Sequence, residues 1–237
     1  MESESGHGVV APWMNEELTL FREAAERFVS ERMVPHDARW RREHCVGHEI
    51  WREAGDVGLL CTDIPAEYGG GGGDFRHESI VHEALARRGL VGFATGVHSI
   101  CAQYVNRHGT SAQKRHWLPR LARGELVGAI AMTEPDTGSD LQAIRTTARR
   151  DGHHYVINGA KTFITNGSLA GLLAVVVKTD PTQRAPGMSI IMVETADLRG
   201  YRVGAVLDKM GMQAQDTALL FFEDVRVPVD HLLGGEE

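Results

Sequence analysis

Two polar stretches in the second half of the sequence hold residues that could bind a flat heteroaromatic ligand. The first, TEPDTGSD at residues 133–140, follows the apolar run AIAM at 129–132. An apolar strand that ends in such a turn exposes backbone N–H groups and hydroxyls, which suit the polar edge of a planar ring or a pyrophosphate. Taken alone, the stretch fits an ordinary hairpin turn equally well.

The second stretch, NGAKTFITNG at residues 158–167, combines an aromatic ring with a hydroxyl. Phe163 and Thr165 are two residues apart, so in a strand they lie on the same face. Side by side, they can pack against a heteroaromatic ring and hydrogen-bond to its edge. Considered singly, the stretch is better explained by a core phenylalanine beside a surface threonine.

Other patterns that could carry chemistry are weaker. His44, Cys45 and His48 are potential metal ligands, but zinc needs three or four ligands and no second Cys/His cluster accompanies them. The five glycines at 69–73 lack the Gly-Lys-Ser/Thr of a phosphate loop and predict a flexible turn between helices. No His-Glu-x-x-His or Gly-x-Ser-x-Gly motif occurs. The sequence therefore predicts no metal site and argues against a hydrolase.

The first half of the sequence has the periodicity of amphipathic helices. Asn15 can cap a first helix, whose apolar residues recur at three- and four-residue steps until Val34-Pro35 ends it. Thr110 and Gln113 match the capping box of a last helix, which Gly124 stops. The helices predicted between these two are 48–57, 76–88 and 93–107.

From residue 126 the pattern changes to short strands, with turns such as Asn158-Gly159 between them. The candidate strands are 127–132, 146–150, 154–158, 161–165, 172–178, 188–193 and 217–227. Strands without intervening helices imply an antiparallel barrel or sandwich. The predicted fold class is α+β. A disordered tail at 1–12 precedes an all-α helical domain at 13–124, and an antiparallel β-barrel or sandwich domain occupies 125–237.

Composition limits the classes of partner. Lys and Arg number 25 against 32 Asp and Glu, and the net charge of −7 argues against nucleic acid. No apolar run approaches the roughly 20 residues that span a bilayer, and the acidic N-terminus lacks the features of a secretory signal. The three cysteines, an odd and widely spaced set, are interpreted as reduced thiols. These features predict a cytoplasmic protein with no nucleic-acid or membrane partner.

In their order and spacing, the two polar stretches together resemble the signature of the acyl-CoA dehydrogenase family. That family carries Met/Val-Thr-Glu-Pro-x-x-Gly-Ser-Asp in its flavin-binding middle domain and, about 30 residues later, Gly-x-Lys-x-Trp/Phe-Ile-Thr/Ser-Asn. PAEYGG at 65–70, KMG at 209–211 and FEDVRVP at 222–228 are also similar to family segments, so the resemblance covers roughly residues 14–237. Thr137 stands where a small residue is usual, and Phe163 where Trp is common.

The resemblance implies that FAD binds along these stretches. In the family, the residue matching Thr133 meets the isoalloxazine edge, and Ser139 contacts the pyrophosphate region and the thioester. Phe163 would cover part of the flavin, and Thr165 would hydrogen-bond near its N5–O4 edge, where fixed donors stabilise the charge of the reduced flavin. The predicted cofactor-binding residues are Ile130, Ala131, Met132, Thr133, Gly138, Ser139, Phe163, Ile164 and Thr165.

The reaction that the resemblance implies is α,β-desaturation of an acyl-CoA. A glutamate removes the α proton while the β hydride passes to the flavin, and the electrons leave to an electron-transferring flavoprotein. In the family, the base and most of the contacts of a homo-oligomer, a dimer or tetramer, come from a C-terminal four-helix domain. We expect that domain to be absent from residues 1–237. Glu67 and Glu134 match neither of the family's base positions, so the catalytic base is expected beyond residue 237.

Two functions therefore remain open at this point. The first is an FAD-dependent acyl-CoA dehydrogenase that is incomplete as this 237-residue chain. The second is a non-catalytic flavin- and acyl-CoA-binding fragment or subunit that needs a partner chain.

Small residues and two further segments indicate the length of the acyl chain. The segment GLVGFATG at 89–96 matches the part of the family that lines the acyl channel, so Gly92 and Gly96, with Ser139, are predicted to bind the substrate. AQDTA at 214–218 and FFED at 221–224 resemble long-chain members most. Close helix packing explains the glycines equally well.

Overall fold

Residues 11–235, described by a computed structural model, form a helical region followed by one β-sheet. The helices are α1 Glu16–Phe28, α2 Asp37–Glu43, α3 His48–Asp56, α4 Phe75–Arg87, α5 Thr95–His108 and α6 Ser111–Ala122. The strands are β1 Gly128–Ala131, β2 Thr147–Asp151, β3 His154–Thr165, β4 Leu172–Lys178, β5 Met188–Glu194, β6 Tyr201–Val206 and β7 Thr217–Pro228. The predicted α+β class is confirmed. The predicted tail lies, up to residue 10, outside the described residues, and the division at 124–125 stays a prediction.

Side-chain caps begin two of the helices where the sequence predicts them. The Asn15 side-chain oxygen accepts a hydrogen bond of 2.8 Å from the Leu18 amide at the start of α1. Before α6, the Thr110 amide donates to Gln113 Oε1 (3.0 Å) and the Gln113 amide donates to Thr110 Oγ1 (3.2 Å), which confirms the capping box. Each reciprocal bond satisfies a backbone donor that the helix itself leaves without a partner.

The first helix closes next to Val34-Pro35, as predicted, although its last turn, Val29–Met33, is π-helical. From there the chain continues through a 3₁₀ turn (Val34–His36) into α2. Pro35 is tolerated because proline lacks only an N–H that the first turn of a helix does not use. The short helix α2 was absent from the prediction, since its single buried residue, Trp40, gives no repeating apolar stripe.

The strands form a single curled sheet in the order β1-β4-β2-β3-β7-β6, and β5 pairs with the full length of β4 along its other edge. Four pairings are antiparallel, as predicted, whereas β1 and β2 each pair with β4 in parallel. The parallel pairing of β1 is possible because a long excursion through β2 and β3 returns the chain in the same direction. All seven residues of β4 are buried, as expected for a central strand covered on both faces.

Strand β3 is longer than predicted. Asn158-Gly159 is a bulge inside it and not the predicted turn, because the pairing with β7 shifts register between Ile157 and Gly159. Across the bulge, Asn158 Nδ2 donates to Asp224 Oδ1 (3.0 Å) and the Asp224 amide donates to Asn158 Oδ1 (2.9 Å). Strand β6 was missed because it is short and has no fully buried residue, so its apolar signal is weak.

The helices and the sheet share one apolar cluster. The side chains of Trp117, Leu118 and Leu121 on α6 pack with Leu172 and Ala174 of β4. The opposite face of β4 faces a second cluster within the sheet. Helices α5 and α6 therefore fix the position of the sheet, and with it the segments that follow β1 and β3.

Candidate functional site

The structure brings the two polar stretches side by side. The Thr162 amide donates a 2.9 Å hydrogen bond to the Thr133 carbonyl oxygen. Thr133 begins the first polar stretch just after β1, and Thr162 lies in the middle of the second stretch. The bond therefore joins two segments that lie far apart in the sequence. Any ligand that meets one stretch therefore lies within reach of the other.

A buried ion pair fixes this junction. Lys161 Nζ lies 2.9 Å from Glu134 Oε1 and donates to the Met132 carbonyl at 2.9 Å. The Glu134 carboxylate also accepts from the amides of Arg145 (2.6 Å) and Thr146 (2.9 Å). The side chains of Lys161 and Glu134 are 0% and 6% exposed. Because every partner is within hydrogen-bonding distance, the pair holds the turn of the first stretch against β3.

Burial acts on both members of this pair. It raises the pKa of the Glu134 carboxyl, but the hydrogen bonds from Thr146, Arg145 and Lys161 outweigh it, and the pKa lies below its ordinary value. Burial lowers the pKa of Lys161, against the opposing influence of Glu134. These hydrogen bonds therefore stabilise the Glu134 carboxylate in its charged, deprotonated form.

The turn of the first stretch presents two of the predicted contacts to solvent. Glu134 and Thr137 exchange backbone hydrogen bonds of 2.9 and 3.1 Å, which close the turn. Gly138 and Ser139 follow it and are exposed. A side chain added at Gly138 would meet no atom within 4 Å, so this face of the turn is open to a ligand.

Phe163 is the most unusual residue of the second stretch. Its backbone has φ +57°, in the left-handed region that a bulky residue rarely adopts. Its ring is 64% exposed, so the ring is held out of the apolar core at a cost in backbone strain. The strain comes from an irregularity in the β3–β7 pairing between Lys161 and Ile164. Residues held in this way are concentrated at ligand sites.

The remaining predicted cofactor contacts differ in how far they are buried. Ala131 and Ile164 are buried in the sheet's own cluster, so only their backbones could take part. Ile130, Thr133 and Thr165 are half-buried. Met132 lines a largely apolar groove of about 640 Å³, whose walls also include Leu141, Val176, Met188, Ile190 and Leu233.

The two glycines predicted to bind substrate have different surroundings. A Cβ at Gly92 would lie 2.4 Å from the Ala214 Cβ, so this glycine lets the chain pack closely against Ala214. A Cβ at Gly96 would lie 3.3 Å from the His82 ring. Gly96 also lines a cavity of about 350 Å³ between α4, α5 and the loop that carries Met212. Ser139 lines neither this cavity nor the groove at Met132.

The glycines at 69–73 form an ordered loop, contrary to the predicted flexible turn. Their amides donate to backbone oxygens, among them Gly71 to Cys61 (3.1 Å) and Gly73 to Thr62 (2.9 Å). A side chain at Gly70 would collide with the backbone of Ile64. These N–H groups are used within the chain, which agrees with the sequence argument against a phosphate loop.

Two structural findings concern metals and membranes. Within residues 11–235, no group of three or more His, Cys, Asp or Glu side chains could hold a metal ion. Over the same residues, no helix is both long and apolar enough to cross a bilayer.

Sequence reasoning missed the residues that connect the site. The sequence shows Lys161 and Asn166 only as members of the second polar stretch. The available signal was a lysine inside a predicted strand and an asparagine directly after it. Both are buried, with exposures of 1% each, and a buried polar residue needs specific partners.

Comparisons with known proteins follow the same two-part organisation. The model for the N-terminal domain of acyl-CoA dehydrogenases matches residues 15–125, and the model for their middle domain matches residues 129–225. The mitochondrial long-chain specific acyl-CoA dehydrogenase of Sus scrofa is 43% identical over 220 residues, which are 92% of this chain and 51% of that protein. The mitochondrial isovaleryl-CoA dehydrogenase of Pongo abelii is 36% identical over 231 residues, covering 94% and 54%. The chain thus spans about half the length of these curated relatives.

Solved structures show the same similarity. A crystal structure of an acyl-CoA dehydrogenase from Geobacillus kaustophilus superposes with a TM-score of 0.91 at 42% identity, covering 96% of this chain and 60% of that one. An acyl-CoA dehydrogenase from Bacillus anthracis, solved in complex with FAD, gives 0.86 at 33% identity, covering 95% and 39%.

Proposed function

The chain belongs to the acyl-CoA dehydrogenase family, and from this premise we propose that it is part of an FAD-dependent acyl-CoA dehydrogenase. The reaction is the desaturation of a fatty acyl-CoA thioester between its α and β carbons. FAD, when bound, supplies the acceptor for the electron pair removed from the substrate.

The observation that carries the proposal is that the stretch with the exposed Phe163 ring and the stretch with the open turn at Gly138 and Ser139 are joined to each other. The bond between Thr162 and Thr133 joins them, and so does the Lys161–Glu134 pair. An aromatic face and exposed backbone N–H groups suit a flavin, which has a flat ring and a polar edge. The residues present therefore fit the cofactor that the Bacillus anthracis relative contains.

Five of the nine predicted cofactor contacts have distinct parts in this proposal. Phe163 covers the flavin ring, and the half-buried hydroxyls of Thr133 and Thr165 donate to its polar edge. The backbone at Gly138 and the Ser139 hydroxyl contact the pyrophosphate. Fixed donors at the edge stabilise the negative charge that the ring gains on reduction.

The proposed substrate is a fatty acyl-CoA, with its acyl chain entering the cavity at Gly96. The relative from Sus scrofa, whose name specifies long-chain substrates, supports a long chain. We also propose that the electrons pass to an electron-transferring flavoprotein and that the protein works as a homo-oligomer. A cytoplasmic location rests on the sequence alone, and the mammalian relatives are named as mitochondrial.

One observation favours the second candidate function, flavin and acyl-CoA binding without turnover. A base that removes an α proton must be free to accept it. Glu134, which directly follows Thr133, is bound by Lys161 and two backbone amides. We therefore propose that the base comes from outside residues 11–235. Without that base, the chain would bind flavin and acyl-CoA but would not desaturate the substrate.

The first prediction tests the flavin contact through Phe163→Gly. Glycine relieves the left-handed strain, so the free energy of unfolding should rise by about 1 kcal/mol. FAD affinity should nevertheless fall by about tenfold, because the ring that covers the flavin is lost. Urea unfolding and fluorescence titration of FAD measure the two effects.

Asp197→Gly is the matched control for this test. Asp197 also has a positive φ (+51°) and is exposed, but it lies in the turn after β5. The control should bind FAD as the wild type does. Equal FAD affinity in Phe163→Gly and the wild type would contradict the proposed flavin position.

Turnover is tested by adding acyl-CoA to the FAD-loaded protein without oxygen. Loss of the flavin's visible absorbance on adding a long-chain acyl-CoA would show that the chain desaturates its substrate by itself, and would contradict a base from outside residues 11–235. A shifted spectrum without bleaching supports the binding function. No spectral change with any acyl-CoA would contradict both.

A further inference from the structure

The Asn166 side chain connects the proposed flavin segments with the wall of the cavity at Gly96. It directly follows β3 and lies three residues after Phe163. It is 1% exposed and has φ +60°, a left-handed conformation that asparagine tolerates better than most residues. The structure therefore places an amide group inside the protein, at the end of the segment that presents the aromatic ring.

The Asn166 side chain holds two other elements at once. Its Nδ2 donates to the Gly128 carbonyl at the start of β1 (3.2 Å) and to the Ala94 carbonyl just before α5 (3.2 Å). Strand β1 leads directly into Met132 and Thr133. Both N–H hydrogens of the amide are thus used, one toward the flavin-facing strand and one toward the cavity wall.

The backbone of Asn166 contacts a loop that also lines this cavity. Its amide donates to the Asp216 carbonyl (3.0 Å). The Asp216 carboxylate in turn accepts from the amides of Ser168 (2.7 Å) and Leu169 (3.0 Å). Asp216 ends the loop whose Gln215 lines the cavity, and Ala94 also lines it.

We propose that Asn166 is a positioning residue that fixes the spacing between the flavin-facing segments and the cavity that receives the acyl chain. This inference rests on the proposed function and adds a residue to it. Without the amide, the end of β3, the start of β1 and the start of α5 lose their common partner. The flavin and the acyl chain would then each still bind, but their position relative to each other would no longer be fixed.

Two substitutions separate the amide from the backbone conformation. Asn166→Asp keeps the shape but replaces the donor with an oxygen that faces two carbonyls. Asn166→Gly permits the same φ and removes the amide altogether. If the Asp variant fails to fold, the Gly variant still tests the proposal.

The experiment measures FAD affinity and the response of the flavin spectrum to dodecyl-CoA, a thioether that cannot be desaturated. In the wild type, dodecyl-CoA should change the flavin absorbance. In both Asn166 variants, FAD affinity should fall by about tenfold, and the absorbance change should be lost or altered in shape. Dodecyl-CoA should still bind, as calorimetry would show.

Two controls exclude a merely structural effect. Asn158→Ala removes another hydrogen-bonding asparagine of β3, whose partner Asp224 lies on β7. Glu194→Ala weakens the contact between α6 and β5 without touching the flavin segments. Both should keep the wild-type absorbance change, even where the unfolding midpoint falls as far as in Asn166→Gly.

The outcomes are distinguishable from failure of the proposed function. Wild-type FAD affinity and an unchanged response to dodecyl-CoA in the Asn166 variants would overturn the inference alone. A wild-type chain that binds no FAD would contradict the proposed function, and this inference with it.

Discussion

At the scale of single residues, the ion pair between Lys161 and Glu134 is the main determinant of the site's geometry. Charged groups are seldom fully buried, because the loss of hydration is large and must be offset by several partners. Glu134 accepts from one side chain and two amides, and Lys161 donates to one carboxylate and one carbonyl. The pair acts on the site indirectly, by holding the two polar stretches together.

Lys161→Met is predicted to destabilise the protein strongly. The substitution leaves the Glu134 carboxylate buried without its cation, and the expected loss in the free energy of unfolding is about 3–5 kcal/mol. Urea unfolding at pH 7 measures it. Adding Glu134→Gln to the same chain should recover part of the loss, because the uncompensated charge is removed.

The control for this prediction is the exposed pair of Arg226 and Asp151, whose side chains are 52% and 47% exposed at a separation of 2.8 Å. Arg226→Met should leave the unfolding midpoint nearly unchanged, since water screens exposed pairs. A loss in Lys161→Met no larger than in Arg226→Met would show that the buried pair contributes little.

At the scale of elements, His98 connects two helices with the first strand. It lies on α5, and its Nδ1 accepts from the Gly128 amide of β1 (3.0 Å). Its Nε2 donates to the Leu121 carbonyl of α6 (3.2 Å). The ring must be neutral to accept at one nitrogen and donate at the other. Burial lowers the pKa of His98 to about 4, against a small rise from the bond to Leu121.

This geometry predicts that acid weakens the junction of α5, α6 and β1. The unfolded His98 takes up a proton near its ordinary pKa of about 6.5, whereas the folded one stays neutral down to about pH 4. The stabilising effect is therefore complete above pH 6.5 and is lost as the pH falls toward 4. It amounts to about 3 kcal/mol in unfolding free energy.

Unfolding free energies at several values between pH 7 and pH 4.5 test this prediction. His98→Gln can still donate and accept but does not titrate, so its stability should fall less steeply across this interval. Parallel curves for the wild type and His98→Gln would assign the acid sensitivity to other groups.

At the scale of the whole molecule, polar contacts join the helices to the sheet at several points. Glu194 of β5 accepts from His116 (2.8 Å), Trp117 (3.0 Å) and Arg120 (3.0 Å) on α6. Gln113 Nε2 donates to two carbonyls of the segment after β7, each at 2.7 Å. Together with the apolar cluster around Trp117, these contacts predict that helices and sheet unfold as one unit.

Glu194→Ala should lower the unfolding free energy by about 1–3 kcal/mol, because the buried Trp117 N–H loses its acceptor. Unfolding curves from tryptophan fluorescence and from circular dichroism should coincide in the wild type. Glu125→Ala, which removes an exposed pair with Arg123, should cost less than about 1 kcal/mol. Separate transitions in the wild type would show that the two parts fold independently.

The sequence by itself determined whatever depends on short-range interactions. Asn15 and Thr110 cap their helices through bonds to residues three positions away, so a local pattern suffices to predict them. The two polar stretches, in their order and spacing, determined the family. The strands with a strong apolar pattern were also predictable, and β6, which lacks one, was not.

Only the tertiary structure decided which distant groups meet. Lys161 and Glu134 are 27 residues apart, and Asn166 reaches Ala94 over 72. No local pattern specifies such partners, because they depend on how α5, β1 and β3 pack together. The parallel pairing of β1 and the left-handed backbone of Phe163 have the same origin. Each is stabilised by the surrounding packing and not by the preference of the residues themselves.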